Sequence, residues 1–85
     1  KVPDGVVGNA ALALGDLARL DRVSASLESL EPGAVPSLLA ACRARAGAAQ
    51  KNAAIACARL ARRAPHMAAL KEHHGLELIY AYVKP

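Results

Sequence analysis

The 85-residue sequence has no tryptophan or phenylalanine and only two tyrosines, Tyr80 and Tyr82. A core without large aromatic rings must be filled by small side chains, which requires the backbones to approach one another closely. Alanine and leucine are abundant instead, with 21 and 12 copies, and both residues are strong helix formers. The composition therefore predicts an all-helical chain of closely stacked helices rather than a large globular core.

Cysteine and long apolar runs are also scarce. Cys42 and Cys57 form no CxxC pair, and both fall in helical patterns. We therefore expect buried thiols in a reducing compartment rather than a disulfide or a reactive site. No apolar run approaches the roughly 18 residues of a membrane-spanning helix, and no secretory signal is recognisable. These features give no support to secretion or to a membrane partner.

Groups for catalysis and metal binding are missing as well. His66 and His73 stand seven residues apart, roughly 10 Å along a helix, which is too far to share one ion. No cysteine or aspartate completes a ligand set, so His66, His73 and His74 are expected at the surface. The segment "DGVVG", residues 4–8, lacks the Gly-Lys-Ser/Thr ending of a phosphate loop. We predict no enzyme, no metal and no cofactor.

The charge is unevenly distributed along the chain, although the net charge is only +4. Residues 1–42 carry three basic and five acidic groups, whereas residues 43–85 carry eight basic and two acidic groups. A basic second half can attract an acidic protein or a nucleic acid.

Glycine and proline divide the chain into six pieces of helical length. Asp4 is a candidate N-terminal cap for the first piece, and Pro36 and Pro65 suit the first turns of later helices. The last piece, "LELIYAYV", suits a strand by propensity, but its position in the pattern favours a helix. The predicted helices span about residues 6–20, 21–30, 34–46, 48–63, 65–74 and 75–83.

Two of these pieces are nearly the same helix. "GNAALALGDLARL", residues 8–20, and "KNAAIACARLARR", residues 51–63, share an Asn-Ala-Ala start and a Leu-Ala-Arg at the same offset. The order of a long, a short and a medium helix then occurs twice. Such a unit, repeating at about 42 residues, is typical of a helical solenoid.

The repeated pieces resemble a known family. The two long segments are similar to the third helix of armadillo repeats, and "EPGAVPSLLAACRA", residues 31–44, resembles the second helix with its glycine turn. The resemblance implies one domain, residues 1–85, forming an armadillo-type right-handed helical solenoid of about two repeats. It would be the C-terminal end of a longer array. HEAT repeats, with two helices per unit, are the nearest alternative, and the separate short helix favours armadillo.

The closing segment allows a narrower comparison. "VVGNAALALGDLARL", residues 6–20, followed by "KNAAIACARLARRAPHMAALKEHHGLELIYAYVKP", residues 51–85, is similar to the final armadillo repeats of cytoplasmic factors that preassemble axonemal dynein arms in ciliated cells. This resemblance implies a co-chaperone-like scaffold whose protein partners are dynein subunits or chaperones.

The family's third helices line a concave groove in which an asparagine commonly clamps a bound peptide. At the matching positions, in "LGDLA" and "CARLA", this chain has Asp16 and Arg59, and importin-like binding of nuclear signals is therefore not expected. Positions 9, 12, 16 and 19 share one helix face, as do positions 52, 55, 59 and 62. We predict a partner-binding groove formed by Asn9, Asp16, Arg19, Asn52, Arg59 and Arg62.

Other interpretations of these residues stay open. Asp16 and Arg59 can form a surface ion pair, worth about 0–1 kcal/mol. Alternatively, Arg59, Arg62 and Arg63 can receive an acidic partner segment. Asn9 and Asn52 can hydrogen-bond the backbone of an adjoining linker. The alternative partner is a nucleic acid, although few aromatic residues are present for stacking on bases. Its candidate phosphate contacts are Arg43, Arg45, Lys51, Arg59, Arg62 and Arg63.

The first helix has no partner in the chain for one of its flanks. Solenoid units stabilise one another through neighbouring interfaces, and fewer than about three repeats rarely stand alone. We therefore expect the isolated chain to be marginally stable or to self-associate through this helix. The residues concerned are Ala10, Ala13, Leu14 and Leu17.

Overall fold

The computed structural model describes residues 3–29 and 33–82, and 83% of this part is helical, with no β-strand. The predicted all-helical class with six helices is therefore confirmed. A short 3-10 turn, Leu27–Ser29, follows the second helix. None of these helices is long and apolar enough to cross a membrane. The helices are α1 Asp4–Leu17, α2 Asp21–Ser26, α3 Ala34–Ala44, α4 Gly47–Leu60, α5 Ala64–Glu72 and α6 Leu76–Tyr82.

Several helix ends differ from the predicted ones. α1 ends at Leu17 rather than at Leu20, because Leu20 takes an extended conformation and precedes α2 as its N-cap. Gly33 precedes α3 with a φ of 110°, a conformation that favours glycine. The predicted ends at Leu30 and Val83 lie outside the described residues.

The prediction that Asp4 caps α1 is wrong. Pro3 occupies the N-cap position, and no side chain caps the helix. Asp4 lies in the first turn instead, where a negative charge is favourable beside the exposed backbone N–H groups. Its Oδ1 also accepts a hydrogen bond from Nη1 of Arg45, at 2.8 Å, which ties the start of α1 to the end of α3.

The core is centred on α4, which α1, α3, α5 and α6 surround. Alanine supplies many of its side chains beside leucine, valine, isoleucine and cysteine. The small alanine side chain allows neighbouring helix backbones to approach closely. The residues of α4 with no exposed surface are Ala53, Ala54, Ala56, Cys57 and Leu60.

α1 and α4 form the most extensive helix pair and run parallel. A Cβ atom added to Gly8 would lie 3.4 Å from Cα of Ala49, and one added to Gly15 would lie 3.5 Å from Cα of Ala56. Both contacts advance by seven residues on both helices, so the two duplicated segments lie side by side in a single register. The glycines allow this close backbone approach.

The expectation that His66 is a surface residue is wrong. Only 4% of its surface is exposed, and its Nε2 atom lies 2.8 Å from the carbonyl oxygen of Ser24. Because a carbonyl oxygen only accepts, Nε2 carries the proton and donates it. This bond joins α5 to α2 across 42 residues. His73 and His74 are exposed, as predicted.

Candidate protein-interaction surface

The parallel pairing of α1 and α4 brings the two predicted stripes next to each other. We call this surface the α1–α4 face. Four of its residues come from α1 and the turn after it, and four come from α4 and the turn after it. They are Asn9, Leu12, Asp16 and Arg19, and Asn52, Ile55, Arg59 and Arg62.

Asp16 and Arg59 meet across the helix pair. Nη1 of Arg59 lies 3.2 Å from Oδ1 of Asp16, and the aspartate side chain is 62% exposed. An ion pair this open to solvent contributes about 0–1 kcal/mol to stability. The pair therefore orients the two side chains on the face and adds little to folding.

Asn52 has a structural role. Its Nδ2 atom donates a hydrogen bond of 3.0 Å to the backbone carbonyl of Gly8, and the side chain is partly buried. The acceptor belongs to α1 and not to the adjoining linker that the sequence suggested. Asn9, the equivalent residue of α1, is exposed.

The remaining residues of the face are open to a partner. Leu12 is 50% exposed and Ile55 is half-buried, so the middle of the face is apolar. Arg19 and Arg62 are exposed at the carboxyl end of the two helices. The face thus combines an apolar centre, one neutralised ion pair and two cationic side chains.

Most of the other arginines in the basic second half hold helices together. Arg43 donates from Nη2 to the carbonyl of His73 at 2.8 Å. Arg63 forms an ion pair with Glu28, and Arg45 pairs with Asp4. Together with Arg59, these side chains supply four of the six groups considered above as phosphate contacts.

Sequence reasoning offered the Asp16–Arg59 ion pair as one alternative. It missed the contacts of Arg43, Arg45 and Arg63, although one signal was present for Arg45. Arg45 and Asp4 are 41 residues apart, and Arg59 and Asp16 are 43 residues apart. Opposite charges at about this distance are expected to face each other, because the duplicated helices lie side by side. The Arg63–Glu28 pair, 35 residues apart, has no such signal.

The two cysteines are free and buried, which confirms their predicted burial. Burial raises the pKa of Cys57 to about 12, and the neighbouring Cys42 adds to this effect. Burial also raises the pKa of Cys42, partly offset by the charge of Arg43. Both thiols therefore stay protonated at neutral pH and are poor nucleophiles. Within residues 3–29 and 33–82, no group of three or more His, Cys, Asp or Glu side chains is arranged to hold a metal ion.

No family model, curated protein or solved structure matches this chain. The assignment of a function therefore depends on the geometry of the α1–α4 face and on the resemblance of the sequence segments given above.

Proposed function

We propose that the chain is a non-enzymatic scaffold, built as an armadillo-type right-handed solenoid, that binds a protein partner across the α1–α4 face. The observation that carries this proposal is the register of the duplicated helices. The contacts Arg59–Asp16 and Asn52–Gly8 span 43 and 44 residues. Contacts at about the repeat distance support the interpretation that α1 and α4 belong to successive units of one array. Successive units present equivalent residues along a continuous surface.

The partner segment that best fits the face has an apolar side chain flanked by acidic ones. The apolar side chain would cover Leu12 and Ile55, and carboxylates would reach Arg19 and Arg62. Long-range attraction between opposite charges would mainly increase the association rate, whereas the apolar contact would supply most of the affinity.

The cellular role follows from resemblance. Residues 6–20 and 51–85 together resemble the C-terminal armadillo region of tetratricopeptide repeat protein 12, which is why we propose a cytoplasmic role in preassembly of axonemal dynein arms. In that role the partners would be dynein subunits or chaperones, bound without a cofactor.

A photo-crosslinking residue in place of Leu12 tests the proposal in extracts of ciliated cells. We expect crosslinks to a dynein subunit or a chaperone that fall at least tenfold in the double variant Arg19→Glu/Arg62→Glu. The matched control is Lys71→Glu, a basic-to-acidic change at an exposed position of α5. Circular dichroism should show unchanged helicity in both variants.

A second crosslinker position identifies unspecific capture. Tyr80 of α6 is 60% exposed and lies outside the α1–α4 face. If positions 12 and 80 give the same products, or if the double variant keeps its crosslinks, the α1–α4 face does not bind the partner.

Nucleic acid is the alternative partner, and the internal use of Arg43, Arg45, Arg59 and Arg63 is our reason for preferring a protein. Phosphate binding by many free cations would give a steep loss of affinity with salt. We expect binding to a random-sequence oligonucleotide to be weak at about 50 mM salt and negligible at about 200 mM. Tight binding with a slope of several released ions would favour the nucleic acid.

A further inference from the structure

A second surface of α1 is apolar and uncovered. It consists of Val6, Ala10, Ala13 and Leu17, spaced by four, three and four residues, and we call it the α1 stripe. Val6 is 56% exposed and Leu17 is 48% exposed, and both alanines are exposed as well. This spacing is the one by which a helix packs lengthwise against another helix. The α1 stripe lies on a different side of α1 from Leu12, Asp16 and Arg19 of the α1–α4 face, and Asn9 lies at the border between the two.

The equivalent stripe of α4 shows what covers such a surface. It lies 43 residues further along the chain, and its members, Ala49, Ala53, Ala56 and Leu60, are exposed by 3%, 0%, 0% and 0%. α1 covers Ala49 and Ala56 with a face of small residues, since Gly8 rests on Ala49 and Gly15 rests on Ala56. The four positions that are exposed in α1 are thus buried in α4.

The asparagines repeat the same relation. Asn52 of α4 donates a hydrogen bond to the carbonyl of Gly8 in the helix that covers it. Asn9 stands at the equivalent position of α1 and is exposed. A helix placed on α1 as α1 is placed on α4 would bring a backbone carbonyl to the Nδ2 atom of Asn9.

The shape of the α1 stripe selects the kind of helix that fits it. Ala10 and Ala13 form a shallow middle, with the larger Val6 and Leu17 at the two ends. Only a helix with small residues opposite the alanines can approach closely enough to bury all four side chains. Two glycines or alanines seven residues apart, as in α1 itself, meet this requirement.

We propose that the α1 stripe is the docking surface for a parallel α-helix of the same kind as α1. This helix presents glycine or alanine at seven-residue spacing and accepts a hydrogen bond from Asn9. The inference rests on the proposed function in one respect, since it takes the occupant to be the equivalent helix of a further unit. It also continues the α1–α4 interface by one more helix in the same register.

The test is an extended chain in which residues 1–47 are followed by residues 5–85. This fusion places a second α1 ahead of the original one at the same 43-residue offset. We expect the extended chain to melt at a higher temperature than the 85-residue chain, because the α1 stripe of the original unit becomes buried.

In the extended chain, we call the added residues 1–47 the front unit and the following residues 5–85 the original unit. The front unit supplies a matched control, because its own α1 stripe stays exposed. In the original unit, Ala13→Glu should lower the melting temperature of the extended chain by roughly 5–10 °C. The same substitution in the front unit, or in the 85-residue chain, should change it by less than about 2 °C. Asn9→Ala should also lower the melting temperature more in the original unit than in the front unit, by a smaller amount than Ala13→Glu.

Two results would overturn the proposal. One is an equal effect of Ala13→Glu in both units, which would mean that no helix covers the original stripe. The other is an 85-residue chain that sediments as a dimer and becomes monomeric on Ala13→Glu, which would make a second copy the occupant. Crosslinking from Leu12 reports on a different side of α1, so either proposal can fail alone.

Discussion

Gly75 is buried where the start of α6 meets Leu39 and Leu70, two of the fully buried side chains. Its N–H group donates to the carbonyl of Leu70 at 2.8 Å, closing the end of α5. The preceding residue, His74, has a φ of 58°, so the chain reverses sharply at this point. At the residue scale, Gly75 has no side chain, and this lets Leu39 and Leu70 pack directly against the backbone.

Replacing Gly75 by alanine should therefore destabilise the fold. The new Cβ atom would lie 2.8 Å from both methyl carbons of Leu39 and would also overlap a methyl of Leu70. We expect a loss of about 1–3 kcal/mol in the free energy of unfolding, as for other overpacked cores. Urea denaturation followed by circular dichroism measures this loss.

Gly5→Ala is the control for the change from Gly75 to alanine. Gly5 lies in α1 with open space around its Cβ position. Because alanine favours helix over glycine, this variant should be unchanged or more stable by up to about 1 kcal/mol. Equal effects at the two glycines would contradict the packing described at Gly75.

The buried thiol of Cys57 makes stability depend on pH in the alkaline range. Burial raises its pKa from the ordinary thiol value of 9.0 to about 12, so the folded state holds the proton more tightly. The resulting stabilisation is complete below pH 9 and is lost as the pH rises towards 12. Between pH 7 and about pH 10.5, the free energy of unfolding should fall by about 1–2 kcal/mol more for the unchanged chain than for the Cys57→Ala variant.

Parallel denaturation curves of the chain and of Cys57→Ala between pH 7 and about pH 10.5 measure this difference, since lysine and tyrosine titrate in both. A constant gap between the two curves would mean that the thiol ionises as easily in the fold as in the unfolded chain.

At the scale of helices, α2 depends on few contacts. It spans six residues, and the hydrogen bond from His66 to the carbonyl of Ser24 joins it to α5. The hydroxyl of Ser24 is buried without a hydrogen-bond partner within the described residues. The stability of α2 in its place therefore depends on the histidine and not on the serine side chain.

Removing the donor at position 66 should cost more than removing the serine hydroxyl. His66→Leu leaves the carbonyl of Ser24 without its partner, and we expect a loss of about 1–3 kcal/mol. His66→Gln retains a donor and should recover part of that loss. Ser24→Ala should be neutral or slightly stabilising, because an unpaired buried hydroxyl is unfavourable.

Hydrogen exchange of the α2 amides reports on this contact directly. Exchange should become faster in His66→Leu, with little change in His73→Leu, where the histidine is exposed. Unchanged protection in His66→Leu would mean that other contacts hold α2.

The helices and their number were predictable, because the breakers and the helix-forming composition act locally. The partnership of α1 and α4 was also predictable, since the Asn-Ala-Ala segments repeat at a fixed distance. The burial of His66 was not, because a histidine near the start of a helix gives no sign of whether a neighbouring helix covers it. The acceptor of Asn52 depends on the contact between helices, which local sequence does not specify.

At the scale of the whole molecule, the chain contains two copies of one helix, α1 and α4, and the helices α3, α5 and α6 pack around α4. α4 is covered on its α1 side and packs against α3 and α6 elsewhere, whereas α1 leaves the α1 stripe exposed. This asymmetry gives α1 two functions in our account. It offers one side to a protein partner and another to a further helix.

Disulfide trapping tests the register of α1 and α4, on which both proposals depend. A Cβ atom at Gly8 would lie 3.7 Å from Cβ of Ala49, within the range of disulfides. With Cys42 and Cys57 replaced by alanine, Gly8→Cys/Ala49→Cys should oxidise readily in the folded chain. Gly8→Cys/Ala56→Cys, displaced by about two helical turns, should oxidise only after unfolding. Equal rates for the two pairs, or faster oxidation of the displaced pair, would contradict the parallel side-by-side arrangement.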